Sequence, residues 1–305
     1  MSDLSQVFRP YDILGVPQAT KGFDKSDFCE VISISLKSTL LLSFIDLTKS
    51  KSGKYVMEGM EYFYELFEAL PRGGPGDEES TRRAFNTIPN PPEQPLILDI
   101  GCGPGVQTIE LAKLSKGKII ALDNHQAFLD KLMEKAKKEE VSDHIIPQNR
   151  SMLDMDFEKN LFDIIWSEGA LYFMGFQNGL KRCHQLLKKD GFLGVTEIVY
   201  LVNDPPAPLI QYFEKEYPDI ETVQDKIELI QNERFLLISN FTLPKSAWLD
   251  CFYLPMKKEL LRLNKKYQGN EIALGIFEEM EKEINLYKKF SDFYGYEFFI
   301  MQRTN

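Results

Sequence analysis

The sequence predicts an α/β protein: a mostly parallel, seven-stranded sheet with helices on both faces, a helical extension at the N terminus and a helical insertion before the last strand. Three observations carry this. From Leu96 onward short apolar segments alternate with amphipathic ones, the pattern of strands joined by crossover helices. The short segments are apolar at consecutive positions, as strands buried on both faces are. The first of them runs into a glycine-rich turn, Gly101-Cys-Gly-Pro-Gly105, directly before a helical segment.

Taken in order, residues 1–70 form an N-terminal extension, mostly helical and a candidate lid. Its most lipid-like stretch, Val31 to Ile45, is interrupted by Lys37 and several hydroxyl residues and is too short to span a bilayer. Met60, Phe63, Tyr64, Phe67 and Leu70 recur at helical spacing. A breaker-rich loop follows at Pro71 to Asp77, then a short helix from Glu78 to Asn86. The core, residues 71–243, contains strands at Leu96–Ile100, Lys118–Leu122, Ile145–Gln148, Phe162–Trp166, Phe192–Glu197 and Phe235–Leu243. Helices are expected at Val106–Leu114, Gln126–Glu140, Gly179–Lys188, Pro208–Tyr217 and Val223–Asn232, with a turn at Asp190-Gly191. Residues 244–295 read as a helical insertion and substrate cover, and residues 296–305 hold the seventh strand.

At 305 residues with a formal charge of −10, the chain can bury a full core and lacks the Lys/Arg stripe of a non-specific nucleic-acid binder. Its cysteines (Cys29, Cys102, Cys183, Cys251) form no C-x-x-C pair, so zinc and dithiol readings lack their spacing. No basic segment followed by an apolar run opens the sequence. The expectation is a cytoplasmic protein with no nucleic-acid or membrane partner, no metal, and a homodimer among its possible states.

The turn after the first strand carries the chemistry. Glycines let the backbone approach a ligand closely, and the following helix presents free N–H groups. A dinucleotide fingerprint would place its third glycine at position 106, which is Val106; here that glycine is Gly105. Asp99, two residues before Gly101, repels a pyrophosphate and suits a cationic ligand. Gly101, Cys102, Gly103 and Gly105 with Asp99 therefore favour S-adenosyl-L-methionine (SAM) over a dinucleotide. Asp123 ends the second strand 22 residues after Gly101, where a carboxylate can accept from both ribose hydroxyls, with Asn124 beside it.

In order and spacing, Asp99-Ile-Gly-Cys-Gly-Pro-Gly105, Asp123, Leu161 to Glu168 and Leu186 to Leu193 resemble the motif set of class I SAM-dependent methyltransferases, a Rossmann-like family. Residues 58–305 are also similar to a group of uncharacterised microbial small-molecule methyltransferases. The resemblance implies that Ser151 and Met152 sit by the adenine, although the family often has Asp at the position of Ser151. It places Ser167 and Glu168 near the methionine part, and Gly74 and Gly76 in a lid over the cofactor. Met152 is also consistent with ordinary core.

A sulfonium methyl is already activated, so alignment and exclusion of water supply most of the acceleration. A base helps only where the acceptor sheds a proton during attack. Glu168, Glu197 and Tyr172 are the catalytic candidates, with Tyr200 behind them, because they follow strands at the carboxyl edge of the sheet. Each carboxylate is also consistent with a capping or surface role. His125 follows Asp123 and either borders the ribose or starts a helix; His184 lies on an apolar helical face and reads as structural. Trp248, Phe252, Tyr253, Tyr267, Tyr287, Phe293 and Tyr294 either line an acceptor pocket or pack as core. The expected function is methyl transfer to N, O or S of a small-molecule acceptor. The alternatives are methylation of a basic side chain on a protein, and SAM binding without turnover.

Overall fold

The computed structural model describes Asp46–Lys49 and residues 55–305; the Val31 to Ile45 stretch and Cys29 lie outside the described residues. Ten strands are described: β1 (Asp46–Lys49), β2 (Tyr55–Glu58), β3 (Leu96–Ile100), β4 (Lys118–Asp123), β5 (Ile145–Asn149), β6 (Phe162–Glu168), β7 (Leu187–Tyr200), β8 (Glu221–Thr222), β9 (Phe235–Thr242) and β10 (Tyr294–Arg303). The main sheet runs β5-β4-β3-β6-β7-β10-β9, with the two-residue β8 beside β7. The first five strands are mutually parallel, and β10 is antiparallel to both β7 and β9.

Alternate side chains leave each strand on opposite faces, and this splits the core in two. Ile97, Ile119, Ala121, Ile164 and Trp166 face one layer of helices. Leu98, Ile100, Ile120, Leu122, Ile165 and Leu193 face the other. All eleven are at most 1% exposed, so neither face is solvated and the strands read as unbroken apolar runs.

Ten helices are described: α1 (Met60–Glu68), α2 (Glu78–Phe85), α3 (Val106–Ser115), α4 (Gln126–Lys138), α5 (Phe176–Leu186), α6 (Ala207–Glu216), α7 (Val223–Asn232), α8 (Lys245–Trp248), α9 (Leu254–Lys266) and α10 (Glu271–Phe290). Their starts follow local chemistry. Asp77 accepts from Ser80 N at α2, Thr222 and Asp225 form a capping box at α7, and Asn270 accepts from Ala273 N at α10. A π-helical turn, Leu249–Tyr253, joins α8 to α9.

Most of the N-terminal extension lies outside the described residues; its described part holds α1 and, ahead of it, β1 and β2 paired as an antiparallel ribbon over β-favouring Thr, Tyr and Val residues. Two expectations need correction. Helix α5 starts at Phe176, three residues early, because Gly179 sits inside it against Leu171, where a Cβ would lie 2.5 Å from Leu171 Cγ. Strand β7 begins at Leu187, and the expected turn at Asp190-Gly191 is an irregularity within it, with Asp190 at φ 61°. No helix among the described residues is long and apolar enough to cross a membrane.

Candidate functional site

A chamber of about 550 Å³ opens at the carboxyl ends of β3, β4 and β6, where crossover connections leave the sheet edge uncovered. Its floor is the turn after β3. Gly101 N and Cys102 N donate to the Leu122 carbonyl at 2.8 and 3.0 Å, which folds the turn back onto β4. Gly103 has φ 52°, and a Cβ there would meet nothing nearer than Gly73 N at 4.0 Å, so that side of the turn faces open space. Asp123 accepts from Gly103 N and His125 N, both at 2.9 Å, and thereby locks the turn to the end of β4. Burial raises its carboxyl above the ordinary range. Asn124, Ser151 and Met152 line the same wall, and Ser151 also caps a 3-10 turn by accepting from Leu153 N.

Helix α1 forms part of the roof. Tyr64 stacks on His125 with ring centroids 4.0 Å apart, and His125 Nε2 lies 2.8 Å from Glu68 Oε1. Lys131 Nζ donates to the Glu68 carbonyl at the end of α1. The loop after α1 continues the cover, with Arg72, Gly73, Gly74 and Pro75 lining the chamber.

The Arg72 loop is fastened by Glu168. This carboxylate accepts from Arg72 Nη2 (2.8 Å), Thr81 Oγ1 (2.6 Å) and Trp166 Nε1 (3.0 Å). The two side chains of the ion pair are 7% and 2% exposed. With three donors already engaged, Glu168 borders the chamber as a tether between lid loop and sheet and is not the free base its sequence position suggested. Arg72 Nε and Nη1 are buried and have no hydrogen-bond partner among the described residues.

Other expected residues lie elsewhere. Glu197 does not line the chamber. It is fully buried behind it, accepting from the Tyr217 hydroxyl at 2.5 Å with Lys226 Nζ at 3.5 Å, and burial pushes its carboxyl up to about 7. Asp99 also stays out of the chamber. It lies under the turn, accepts from Thr108 Oγ1 at 2.6 Å, and is pushed up to about 7 by burial. Ser167 is fully buried and donates to the Ile100 carbonyl at 3.0 Å, tying β6 to β3. Gly105 starts α3 at φ 83°, where a Cβ would stand 2.1 Å from Leu132 Cδ1; its demand is packing. Gly76 likewise makes room for the Arg72 guanidinium, 2.3 Å from a Cβ at that position, and is not in the chamber wall. Tyr172 does line it, and Tyr200 does not.

None of the seven aromatic residues named from the insertion lines the chamber. Trp248 stacks on Tyr287 at 4.4 Å, and Tyr294 packs edge-on against Tyr287, so these rings build core. The insertion and α6 contribute other residues instead: Tyr212, Phe213, Glu216, Glu279, Met280 and Glu283. No periodicity marked these before folding, because their neighbours along each helix are equally polar or aromatic. Arg72 had a signal that went unread, a cation directly ahead of Gly73-Gly-Pro-Gly76 in a loop expected to cover the turn. Among the described residues no group of three His, Cys, Asp or Glu side chains is placed to hold a metal ion.

Known proteins match this arrangement. The methyltransferase-domain family model matches residues 97–191. The sterol 24-C-methyltransferase of Saccharomyces cerevisiae is 30% identical over 122 residues, 38% of this chain and 32% of that one. The matched region thus spans about a third of the length of this curated relative. A SAM-dependent methyltransferase from Geobacter sulfurreducens, solved with S-adenosyl-L-homocysteine, superposes with a TM-score of 0.69 at 13% identity over 80% of this chain and 98% of its own. A SAM-dependent methyltransferase from Thiobacillus denitrificans, solved with the same compound, gives 0.70 at 13% identity over 79% and 98%. At such identity the likeness concerns the fold.

Proposed function

We propose that this chain, a class I SAM-dependent methyltransferase by its domain family and its fold, transfers the methyl group to a small-molecule acceptor held in the same chamber. The observation that carries this reading is the continuity of the chamber. One cavity reaches from the glycine turn and Asp123 to residues of α6 and α10, and α1 with the Arg72 loop covers it. The partial roof of α1 and the Arg72 loop narrows access to the chamber, which suits a small acceptor better than a side chain presented on a protein surface.

The residues present fit SAM. Gly103 leaves open space where any side chain would intrude. Asp123 retains lone pairs for ribose hydroxyls after accepting its two backbone N–H bonds. Arg72 lies in the wall beside the turn and brings a cation suited to the α-carboxylate of an amino acid. When bound, SAM supplies a sulfonium-activated methyl: the acceptor's lone pair forms the new bond to carbon and the S–CH₃ pair returns to sulfur. The chain's own contribution is to orient and to exclude water. Glu168 holds Arg72 in place, Tyr64 and His125 close the roof, and Tyr172 faces the acceptor side.

Calorimetric titration of the full chain with S-adenosyl-L-homocysteine tests this. Saturable heat with that compound and none with a nicotinamide dinucleotide is expected. The opposite pattern refutes the reading.

A further inference from the structure

The chamber has two electrically different ends. Its cationic lining residues, Arg72 and Arg150, belong to the end built by the glycine turn and β5. The other end carries Glu216 from α6, and Glu279 and Glu283 from α10, with no Lys or Arg in the lining there. Glu279 and Glu283 are four residues apart, so they share one face of α10 and repel each other. Glu279 is met by Lys282 Nζ at 2.8 Å. Glu283 is met by one neutral donor, the Tyr253 hydroxyl at 2.8 Å, and by no cation among the described residues.

A second, independent feature lies opposite. Tyr172 is half-buried in the chamber wall, and its hydroxyl enters no hydrogen bond among the described residues. Tyr212 shares this wall, likewise without a hydroxyl partner among the described residues. Glu283, Tyr172 and Tyr212 line the same chamber, and burial and then the Glu283 charge raise both phenols. Burial raises the Glu283 carboxyl above its ordinary range, so its charged form is costly without a cation beside it, and tyrosine faces attract cations. A cation brought by the ligand satisfies both.

We infer that the acceptor is a small organic cation whose ammonium group is held between the Glu283 carboxylate and the rings of Tyr172 and Tyr212. This rests on the reading of the chamber as a methyl-transfer site. The ammonium is the handle and takes no part in bond making. Neutral molecules of the same shape lose both the charge pairing and the ring contact.

The test uses the full chain saturated with S-adenosyl-L-homocysteine, titrated with choline and with 3,3-dimethyl-1-butanol, its uncharged isostere. Choline is expected to bind saturably and at least about tenfold more tightly than the isostere. Glu283→Gln, which keeps an acceptor for Tyr253, should weaken choline by about tenfold or more and leave S-adenosyl-L-homocysteine binding intact. Tyr172→Phe keeps the ring and should weaken choline by less, so it serves as the second variant if Glu283→Gln does not fold. Equal binding of choline and its isostere overturns the inference, as does wild-type choline affinity in Glu283→Gln or absence of choline binding to the loaded protein. Failure of S-adenosyl-L-homocysteine itself to bind overturns the underlying methyl-transfer reading instead.

Discussion

Replacing Glu168 by Gln separates a tether from a catalytic base. The native carboxylate is 2% exposed and is the anionic partner of an Arg72 side chain that is 7% exposed. Gln keeps the Oε1 that accepts from both Thr81 and Trp166 but leaves the guanidinium charged, buried and with a third nitrogen lacking an anionic partner, since Nε and Nη1 have no partner among the described residues. Removing one member of a buried ion pair costs about 3–5 kcal/mol, and the retained acceptor puts this case at the lower end, about 3 kcal/mol. Urea unfolding of Glu168→Gln, Arg72→Met and the double variant closes a cycle, in which a coupling of about 2 kcal/mol is expected for groups in direct contact. The same Glu168→Gln protein should lose affinity for S-adenosyl-L-homocysteine in calorimetry, because Arg72 and the loop through Pro75 line the chamber. A free base would behave differently: stability and binding would stand, and only turnover would fall. Additivity of the two single changes within about 0.5 kcal/mol, with unchanged binding, would refute the tether.

Further expectations concern the turn and the groups beneath it. Asp123→Ala should weaken S-adenosyl-L-homocysteine on the order of 100-fold, the worth of two hydrogen bonds to a charged acceptor, and unaltered calorimetric affinity would remove the ribose role. Gly103→Val and Gly105→Ala should part company. Both side chains would stand at positive φ and strain the backbone, so both lower the unfolding midpoint; the first also blocks the chamber, whereas the second drives a methyl into Leu132. Wild-type affinity for S-adenosyl-L-homocysteine in Gly103→Val would contradict the assignment of its open face to the chamber. Asp99 is raised by burial from 3.8 to about 7, so the ligand-free folded state holds its proton more readily than the unfolded chain does. Its contribution is therefore present below pH 3.8 and is lost as pH rises through 7, by up to about 1.4 kcal/mol per pH unit. Asp99→Asn removes that slope while still accepting from Thr108. Its stability relative to wild type should rise between pH 5 and pH 7 in urea unfolding, and parallel curves would count against a protonated Asp99.

What the sequence determined by itself was whatever depends on neighbours along the chain. Strand β3 was delimited to the residue because its apolar run ends at a glycine turn, and α7 because a capping box opens it and Asn232 closes it. The same locality marks Gly103 and Asp123, since a turn between strand and helix restricts backbone angles within a few residues. Tertiary structure decided which side of each residue meets the ligand. Asp99 and Gly105 share the motif with Gly103, and Ser167 lies in the neighbouring β6 motif, yet all three point into packing, because strand alternation and the start of α3 turn them away from the chamber. Glu168 became a tether only when Arg72, 96 residues earlier, folded over it, and the Tyr172–Glu283 end exists only because α10 returns across the sheet before β10. Spacing along a chain encodes backbone conformation. Charge pairing and enclosure arise between segments whose separation leaves no periodic trace.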